Sequence, residues 1–250
     1  MTLADETRPP EVVDNGDRHD RMIDVPFERG GGQSQPRWKR AMDVAGALVG
    51  IISFSPLFVV IAVYIKLVSP GPVFFSPIRV GYRGQAFRMW KFRTMRADAD
   101  ASMHERWVAH KIATDEPLSK LDDDDPRIIP CGLVLRKSCL DEIPQLINVL
   151  RGEMSLIGPR PECPYTLPEY QGWHMARFEA LPGMTGLWQV SGKNRTTFTE
   201  MVQLDLAYIR RRSPWLDLRI LLATPAAIVR QIADTMRGRD KSTTTPIPEL

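Results

Sequence analysis

The segment Val44–Ile65, VAGALVGIISFSPLFVVIAVYI, is the strongest constraint on this chain. It carries no charged side chain, and its ~22 residues give a straight helix about 33 Å long, matching a hydrocarbon core. A single spanning helix satisfies the length. Ser55-Pro56 at the centre opposes it: proline has no N–H to donate, and its ring collides with the carbonyl of Ile52, so a helix kinks there. In lipid a freed carbonyl is costly, and the Ser55 hydroxyl is the nearest group that can satisfy it. Arg37, Lys39 and Arg40 precede the segment; Lys66, Arg79, Arg83, Arg88, Lys91, Arg93 and Arg96 follow it. Lys and Arg mark cytoplasmic flanks, and here both flanks qualify. A helix hairpin bent at Ser55-Pro56 puts both ends on one face. A kinked spanning helix is the alternative, and the physics alone does not choose.

The rest of the chain is globular in composition. Of 250 residues 43% are hydrophobic and 25% charged, enough for one domain with tails. A net charge of +3 is too weak to argue for nucleic acid, and no basic-aromatic module appears. Cys131, Cys139 and Cys163 form no C-x-x-C pair, which excludes a disulfide framework or zinc site and suits a reduced compartment. His19, His104, His110 and His174 show no ligand spacing and are read as surface or packing residues.

Residues 1–36 are rich in charge, Pro and Gly and read as a disordered leader, without a signal-peptide pattern; 236–250 read as a flexible tail. Between them lie the membrane helix, 37–68, and the main domain, 69–235. Two segments rich in aromatic and β-branched residues flank Gly81-Tyr82-Arg83-Gly84 and predict a β-hairpin. Alternation sends Phe87, Met89 and Lys91 to one face and Arg88, Trp90 and Phe92 to the other. A polar helix is expected from Ala97 to Trp107, a Gly-rich loop over ALPGMTGLWQVSGKN, and two C-terminal helices divided near Ser213-Pro214. In the second of these, Trp215, Leu216, Ile220 and Leu221 form an apolar face beside Arg210–Arg212, suited either to a membrane interface or to a core.

The chemistry centres on Asp141-Glu142. Pro144 fits the first turn of a helix, which places both carboxylates at its N-terminus among unsatisfied N–H groups. As caps they need no further role, and Ser138 with Asp141 spells a capping box. Their neighbours suggest more. Arg136 precedes them, and Arg160 follows in a Pro159-Arg160-Pro161 clamp that restricts its backbone; both suit bidentate phosphate contact. An ionised carboxylate, a metal ion such as Mg²⁺ and two arginines are the parts needed to attack a diphosphate. A rival acidic site is Asp122–Asp125, whose D-x-D (Asp122, Asp124) is also what any solvated acidic turn contains.

At these residues the chain resembles the bacterial sugar transferases, the monotopic phosphoglycosyl transferases. KRAMDVAGA, FSPLF, PGPVFF, RVGYRGQAFRMWKFRTM, DPRIIPCGLVLRKSCLDEIPQLINVLRGEMSLIGPRP, LPGMTGLWQVSGKN and SPWLDLRILLAT occur in order, covering roughly Trp38 to Arg230. The resemblance implies an α+β fold: a re-entrant membrane helix, a β-hairpin and amphipathic interfacial helices forming a small catalytic domain on the cytoplasmic face of the bacterial inner membrane. It implies transfer of a hexose 1-phosphate, glucose or galactose, from a UDP-sugar to undecaprenyl phosphate with release of UMP, initiating an exopolysaccharide or surface glycan. By the same resemblance Asp141 is the nucleophile of a ping-pong, Mg²⁺-dependent reaction, Glu142 its partner in proton transfer and metal binding, and Arg136 and Arg160 lie near the phosphates. Ser55-Pro56 matches the helix break, and a homodimer stays open. Lys193 stands where Arg is frequent. The rival expectations are a D-x-D glycosyltransferase releasing UDP and a non-enzymatic membrane scaffold.

Overall fold

A computed structural model describes residues 35–96, 102–118 and 125–236. Asp122 and Asp124, the tail beyond 236 and the expected leader, apart from Gln35 and Pro36, lie outside the described residues.

Helix α1 spans Arg37–Val68, 32 residues, and continues through Pro56. Pro36, with φ −57°, sits at its N-cap, and Ser69 in extended geometry ends it just ahead of Pro70-Gly71. The carbonyl that Pro56 cannot serve is that of Ile52, and it accepts from Ser55 Oγ at 2.9 Å. The chain thus does not leave the helix at Ser55-Pro56, and the expected two-armed hairpin is not drawn as two elements. The packing nevertheless divides there. Ile52–Pro56 are all exposed, more than one turn with no covered face, whereas Lys39, Asp43 and Ala47 are buried on one side and Ile61 and Ile65 on the other. The helix is long and apolar enough to cross a membrane.

The β-hairpin forms around the expected turn. β1 (Phe74–Phe75) and β2 (Ile78–Val80) run antiparallel to β4 (Lys91–Phe92) and β3 (Ala86–Arg88), with a 3₁₀ turn at Tyr82–Gly84. Alternation holds for Phe87, Arg88 and Met89 and then fails: Phe92 is buried too, against Phe58 of α1 and Phe74. Arg93 fixes the hairpin to the end of α1, donating to the carbonyls of Pro70 and Ser69 at 2.8 and 2.9 Å. Helix α2 runs from Ser102 to Thr114, extending beyond the expected limit at Trp107.

α3 (Gly132–Lys137), a 3₁₀ turn at Leu140–Glu142 and α4 (Gln145–Arg151) lead into β5 (Ser155–Ile157), which pairs in parallel with β6 (Gly183–Thr185). The region expected as a Gly-rich loop therefore supplies a strand and α5 (Leu187–Ser191). α6 (Phe198–Arg211) and α7 (Pro214–Met236) divide at Ser213-Pro214, as the sequence indicates. Thr197 and Glu200 make a reciprocal capping box that starts α6.

Val149, Met154, Ile157, Trp188, Met201, Val202 and Tyr208 build the main core, joined by Ala47 of α1. Ile220 and Leu216 of α7 turn into this core. Its exposed apolar stripe is instead Trp215, Leu218, Leu221, Leu222 and Val229, which corrects the face expected from sequence. α1 docks on α4 and β5 through small residues: a Cβ at Gly46 would meet Leu156 Cδ1 at 2.5 Å, and one at Gly50 would meet Leu146 Cδ1 at 3.0 Å. This GxxxG is used inside the chain rather than left as a dimer face. Arg40 donates to the carbonyls of Val149 and Leu150 at 2.6 and 2.7 Å, satisfying the C-terminal end of α4. A buried polar network completes the joint: Lys39 Nζ donates to Asp43 at 3.3 Å and Asp217 at 2.6 Å, and Asp43 accepts from Ser155 Oγ and the Leu156 N–H.

Candidate active site

Asp141 and Glu142 lie in the 3₁₀ turn between α3 and α4, entered through Cys139 in the left-handed region (φ 57°). Pro144 takes the N-cap of α4 rather than its first helical position, and no side chain caps that helix. The capping-box pattern is not used. Ser138 Oγ turns back to the carbonyls of Val134 and Leu135, at 2.7 and 3.2 Å, and closes α3 instead. Its hydroxyl satisfies the orphan acceptors of the helix it belongs to, which the sequence pattern could not distinguish.

The pair sits among cations. Asp141 is buried, and Glu142 Oε1 accepts from Lys91 Nζ at 2.8 Å and lies 3.7 Å from Arg160 Nη1. Burial pushes the Glu142 carboxyl up, but Lys91, Arg160 and Lys193 outweigh it and hold it far below the usual carboxylate range.

Each cation is aimed by its surroundings. Lys91 stands on β4, and Asn148 of α4 grips that edge of the hairpin: its Oδ1 accepts from the Trp90 N–H at 2.9 Å, and its Nδ2 donates to the Arg88 carbonyl at 2.8 Å. Arg160 lies between Pro159 and Pro161, both buried. Its carbonyl accepts from Arg177 Nη2 at 3.1 Å, and the same guanidinium bonds Tyr170, Asp205 and Glu162. The clamp is pressed against β6: a Cβ at Gly183 would lie 2.1 Å from the Gly158 backbone nitrogen, so only glycine fits. Arg79 adjoins Arg160. Burial and the charge of Arg160 lower its guanidinium, opposed by Tyr165, Glu162 and Glu142.

Of the residues expected from sequence, Asp141, Glu142 and Arg160 are brought together. Arg136 lies toward Thr94, with Nη1 3.5 Å from Oγ1, and contributes to holding Asp125 low, after Arg127. Lys91, Lys193, Arg79 and Arg177 were not assigned site roles from sequence. For Lys91 the signal was present: alternation put a lysine on the same face as buried Phe87 and Met89, and a lysine there requires an acid. His174 is buried and packs, as expected, against Tyr170 and Phe198.

The donor set fits a divalent cation of the Mg²⁺ kind. Mg²⁺ is held by one or two carboxylates with substrate phosphates and water, and among the described residues no cluster of three or more acids, histidines or cysteines exists to make a closed protein cage. Asp141 and Glu142 are the residues whose carboxylate oxygens could hold such an ion.

Comparison with known proteins identifies the family. The model of the family described as bacterial sugar transferase matches residues 34–231. The exopolysaccharide production protein ExoY of Rhizobium meliloti (strain 1021) is 39% identical over 191 residues, 76% of this chain and 84% of that protein. The galactosyl transferase CpsE of Streptococcus agalactiae serotype III (strain NEM316) is 40% identical over 187 residues, 74% of this chain and 41% of that protein. The UDP-glucose:undecaprenyl-phosphate glucose-1-phosphate transferase of Escherichia coli (strain K12) is 36% identical over 194 residues, 74% of this chain and 39% of that protein. The chain spans most of ExoY but about two fifths of the other two. With the match running through α1, the carboxylate pair and the first two turns of α7 and beyond, this chain belongs to the bacterial sugar transferase family and is an enzyme of the phosphoglycosyl transferase class.

Proposed function

We propose that the chain transfers a hexose 1-phosphate, glucose or galactose, from a UDP-sugar to undecaprenyl phosphate, releasing UMP and initiating an exopolysaccharide or surface glycan. The observation that carries this reading is a pair of adjacent carboxylates whose second member is surrounded by Lys91, Arg160 and Lys193. Such an arrangement neutralises a diphosphate while keeping a carboxylate ionised as nucleophile.

In the first half-reaction an oxygen of Asp141 forms a bond to the β-phosphorus of the donor. The bond from that phosphorus to the bridging oxygen breaks, and UMP leaves with the electron pair. In the second, an oxygen of undecaprenyl phosphate attacks the same phosphorus and the aspartyl oxygen departs, regenerating Asp141 and yielding a diphosphate-linked sugar lipid. Arg160, with Arg136 as a further phosphate contact, offsets the charge that develops on the transferred group. Lys91 holds Glu142 ionised beside the nucleophile. Bound Mg²⁺, held by Asp141 and Glu142, would supply Lewis-acid polarisation of phosphate oxygens.

We further assign α1 as a re-entrant element, with both ends on the cytoplasmic face of the inner membrane. Supporting this are the exposed turn at Ile52–Pro56 between two packed arms and the Ser55 bond that satisfies the carbonyl Pro56 cannot serve. The exposed stripe of α7, with Trp215 at one end, suits an interfacial helix beside it.

The test is to incubate the purified protein with UDP-glucose or UDP-galactose, Mg²⁺ and undecaprenyl phosphate and to identify the nucleotide released. UMP is expected; UDP would sink the reading. Asp141→Asn abolishes turnover and removes the radiolabelled phosphosugar that wild-type protein retains after denaturation, whereas Asp122→Asn leaves both intact.

A further inference from the structure

Helix α7 carries an outer face that the fold leaves uncovered. Trp215, Leu218, Leu222, Pro225 and Val229 follow one another at spacings of three and four residues, a single line along the helix, and all are exposed. Trp215, Leu222 and Val229 keep 62%, 70% and 66% of their surface open. Arg219 and Arg230 are exposed as well. At 3.6 residues per turn they fall roughly 40° and 60° round from Trp215, so both stand on the same rim of the line. The Arg219 guanidinium lies over the Trp215 ring at 5.4 Å. Arg210, exposed in the last turn of α6, adds a cation just ahead of Trp215.

The charge on this face is one-sided. Both acids of α7 are committed elsewhere: Asp217 is buried against Lys39 Nζ at 2.6 Å and Tyr208 Oη at 2.8 Å, and Asp234 pairs with Arg195. Among the described residues Arg210, Arg219 and Arg230 make no hydrogen bond or ion pair. Cations beside an apolar line, with no acid among them, complement fixed negative charge laid over hydrocarbon. An anionic phospholipid bilayer has both. The phosphodiester of phosphatidylglycerol accepts from a guanidinium, and no ammonium cancels its charge as choline does in phosphatidylcholine. A soluble acidic protein would meet the arginines but leave the apolar line against water. A second copy packed line to line would bring arginines toward arginines with no acid between them.

We propose that the outer face of α7 docks anionic phospholipids, with Arg210, Arg219 and Arg230 on the headgroup phosphates and the line from Trp215 to Val229 among the acyl chains. Apolar area alone would place the helix at any lipid interface; the arginines make the surface selective. The proposal rests on the reading of the chain as membrane-bound through α1. Its consequence reaches the site. α7 is tied to α1 by Asp217 and Lys39, and its Gln231 Oε1 accepts at 2.9 Å from Lys193 Nζ, whose charge reaches Glu142. Headgroups that pin α7 therefore set the height at which the carboxylate pair meets the membrane.

Lipid binding, not turnover, tests it. The full chain in neutral detergent micelles is titrated with phosphatidylglycerol or phosphatidylcholine carrying a dansyl group at the end of one acyl chain, and energy transfer from tryptophan is read. Phosphatidylglycerol is expected to bind at least about fivefold more tightly at low salt. The preference should shrink at about 1 M salt, where charges are screened within roughly 3 Å. Arg210→Gln, Arg219→Gln and Arg230→Gln combined bring the ratio to about one. Leu222→Ser with Val229→Ser weakens both lipids and leaves the ratio in place. These positions are all exposed, and melting curves establish that the variants fold. Equal affinity for the two lipids in the wild type overturns the proposal and leaves the face to a protein partner, and a preference that survives in the folded arginine variant overturns it too. So does light scattering that shows a dimer split by Leu222→Ser with Val229→Ser, which assigns the face to a second copy. Release of UDP in the turnover assay, or an α1 that crosses the membrane, would defeat those separate readings without changing the lipid preference measured here.

Discussion

Lys91 Nζ lies 2.8 Å from Glu142 Oε1, joining the hairpin to the turn that carries the carboxylate pair. Strand β4 and that turn are held in register by Asn148, so the ion pair is a fixed feature of the hairpin–α4 joint. It decides the charge state of Glu142, because the burial that would protonate this carboxyl is opposed chiefly by Lys91.

A pH dependence follows. The folded-state pKa of Glu142 is depressed, so its ionisation adds stability above the ordinary glutamate value of about 4.3, and that stability is lost as the pH falls toward the folded value. Lys91→Met removes the largest opposing charge and lets burial raise the carboxyl. The acid limb of the kcat/KM profile should shift to higher pH, and the variant's loss of stability relative to wild type should be largest at pH 7 and smaller near pH 4, where its own carboxyl is protonated while the wild-type carboxylate is still ionised. Turnover and urea denaturation across pH 4–8 measure both. An acid limb that stays in place would show that Glu142 need not be ionised.

Arg177 reaches the site through the Arg160 carbonyl. Its guanidinium is buried and bonds Glu162, Tyr170, Asp205 and the Arg160 carbonyl. Arg177→Met leaves two carboxylates without their cation, and breaking a buried pair of this kind costs about 3–5 kcal/mol. Arg177→Lys keeps a charge but has no planar fork to reach four acceptors, so it should restore part of the stability and less of the activity. Thermal melting with KM for the UDP-sugar separates the two losses. If Arg177→Lys restored KM fully, Arg160 would not depend on this contact.

What could be read from the residues was local. The hairpin came from aromatic arms around Gly81–Gly84, the α6–α7 division from Ser213-Pro214, and the special place of Pro56 from the carbonyl it cannot serve. What could not be read depends on partners far along the chain. Lys91 meets Glu142 across 51 positions, and Arg177 meets Asp205 across 28. Ser138 fits a capping box perfectly well by spacing, yet tertiary packing turned its hydroxyl to α3. Gly46 and Gly50 spell GxxxG, but only the structure says that their partners are Leu156 and Leu146.

The glycines of these two joints should respond differently to substitution. At Gly46 an added methyl would meet Leu156 Cδ1, the end of a side chain that can rotate away. Gly46→Ala is therefore expected near neutral, helped by the roughly 0.8–1 kcal/mol gained in helix propensity, while Gly46→Leu overpacks the joint by about 1–3 kcal/mol. At Gly183 the methyl would meet backbone of Gly158, which cannot yield without moving the Pro159-Arg160-Pro161 clamp. Gly183→Ala should lower both the melting temperature and kcat/KM. Equal tolerance at the two positions would mean that the clamp is not rigid.

The re-entrant orientation proposed for α1 turns on one carbonyl and one missing donor. Pro56→Leu restores the N–H to the Ile52 carbonyl, which Ser55 Oγ now serves at 2.9 Å, and removes the reason for the helix to bend. A straight 32-residue helix is about 48 Å long, ample to span the bilayer. In cells, a cysteine introduced ahead of Arg37 should be shielded from a membrane-impermeant maleimide in the wild-type background and labelled from the periplasm in a fraction of Pro56→Leu molecules. Ser55→Ala should leave the cysteine shielded while lowering the melting temperature, since the carbonyl loses its hydroxyl but the proline still prevents a straight path. Periplasmic labelling of the wild-type background would mean that α1 crosses the membrane and that its two packed arms do not share one face.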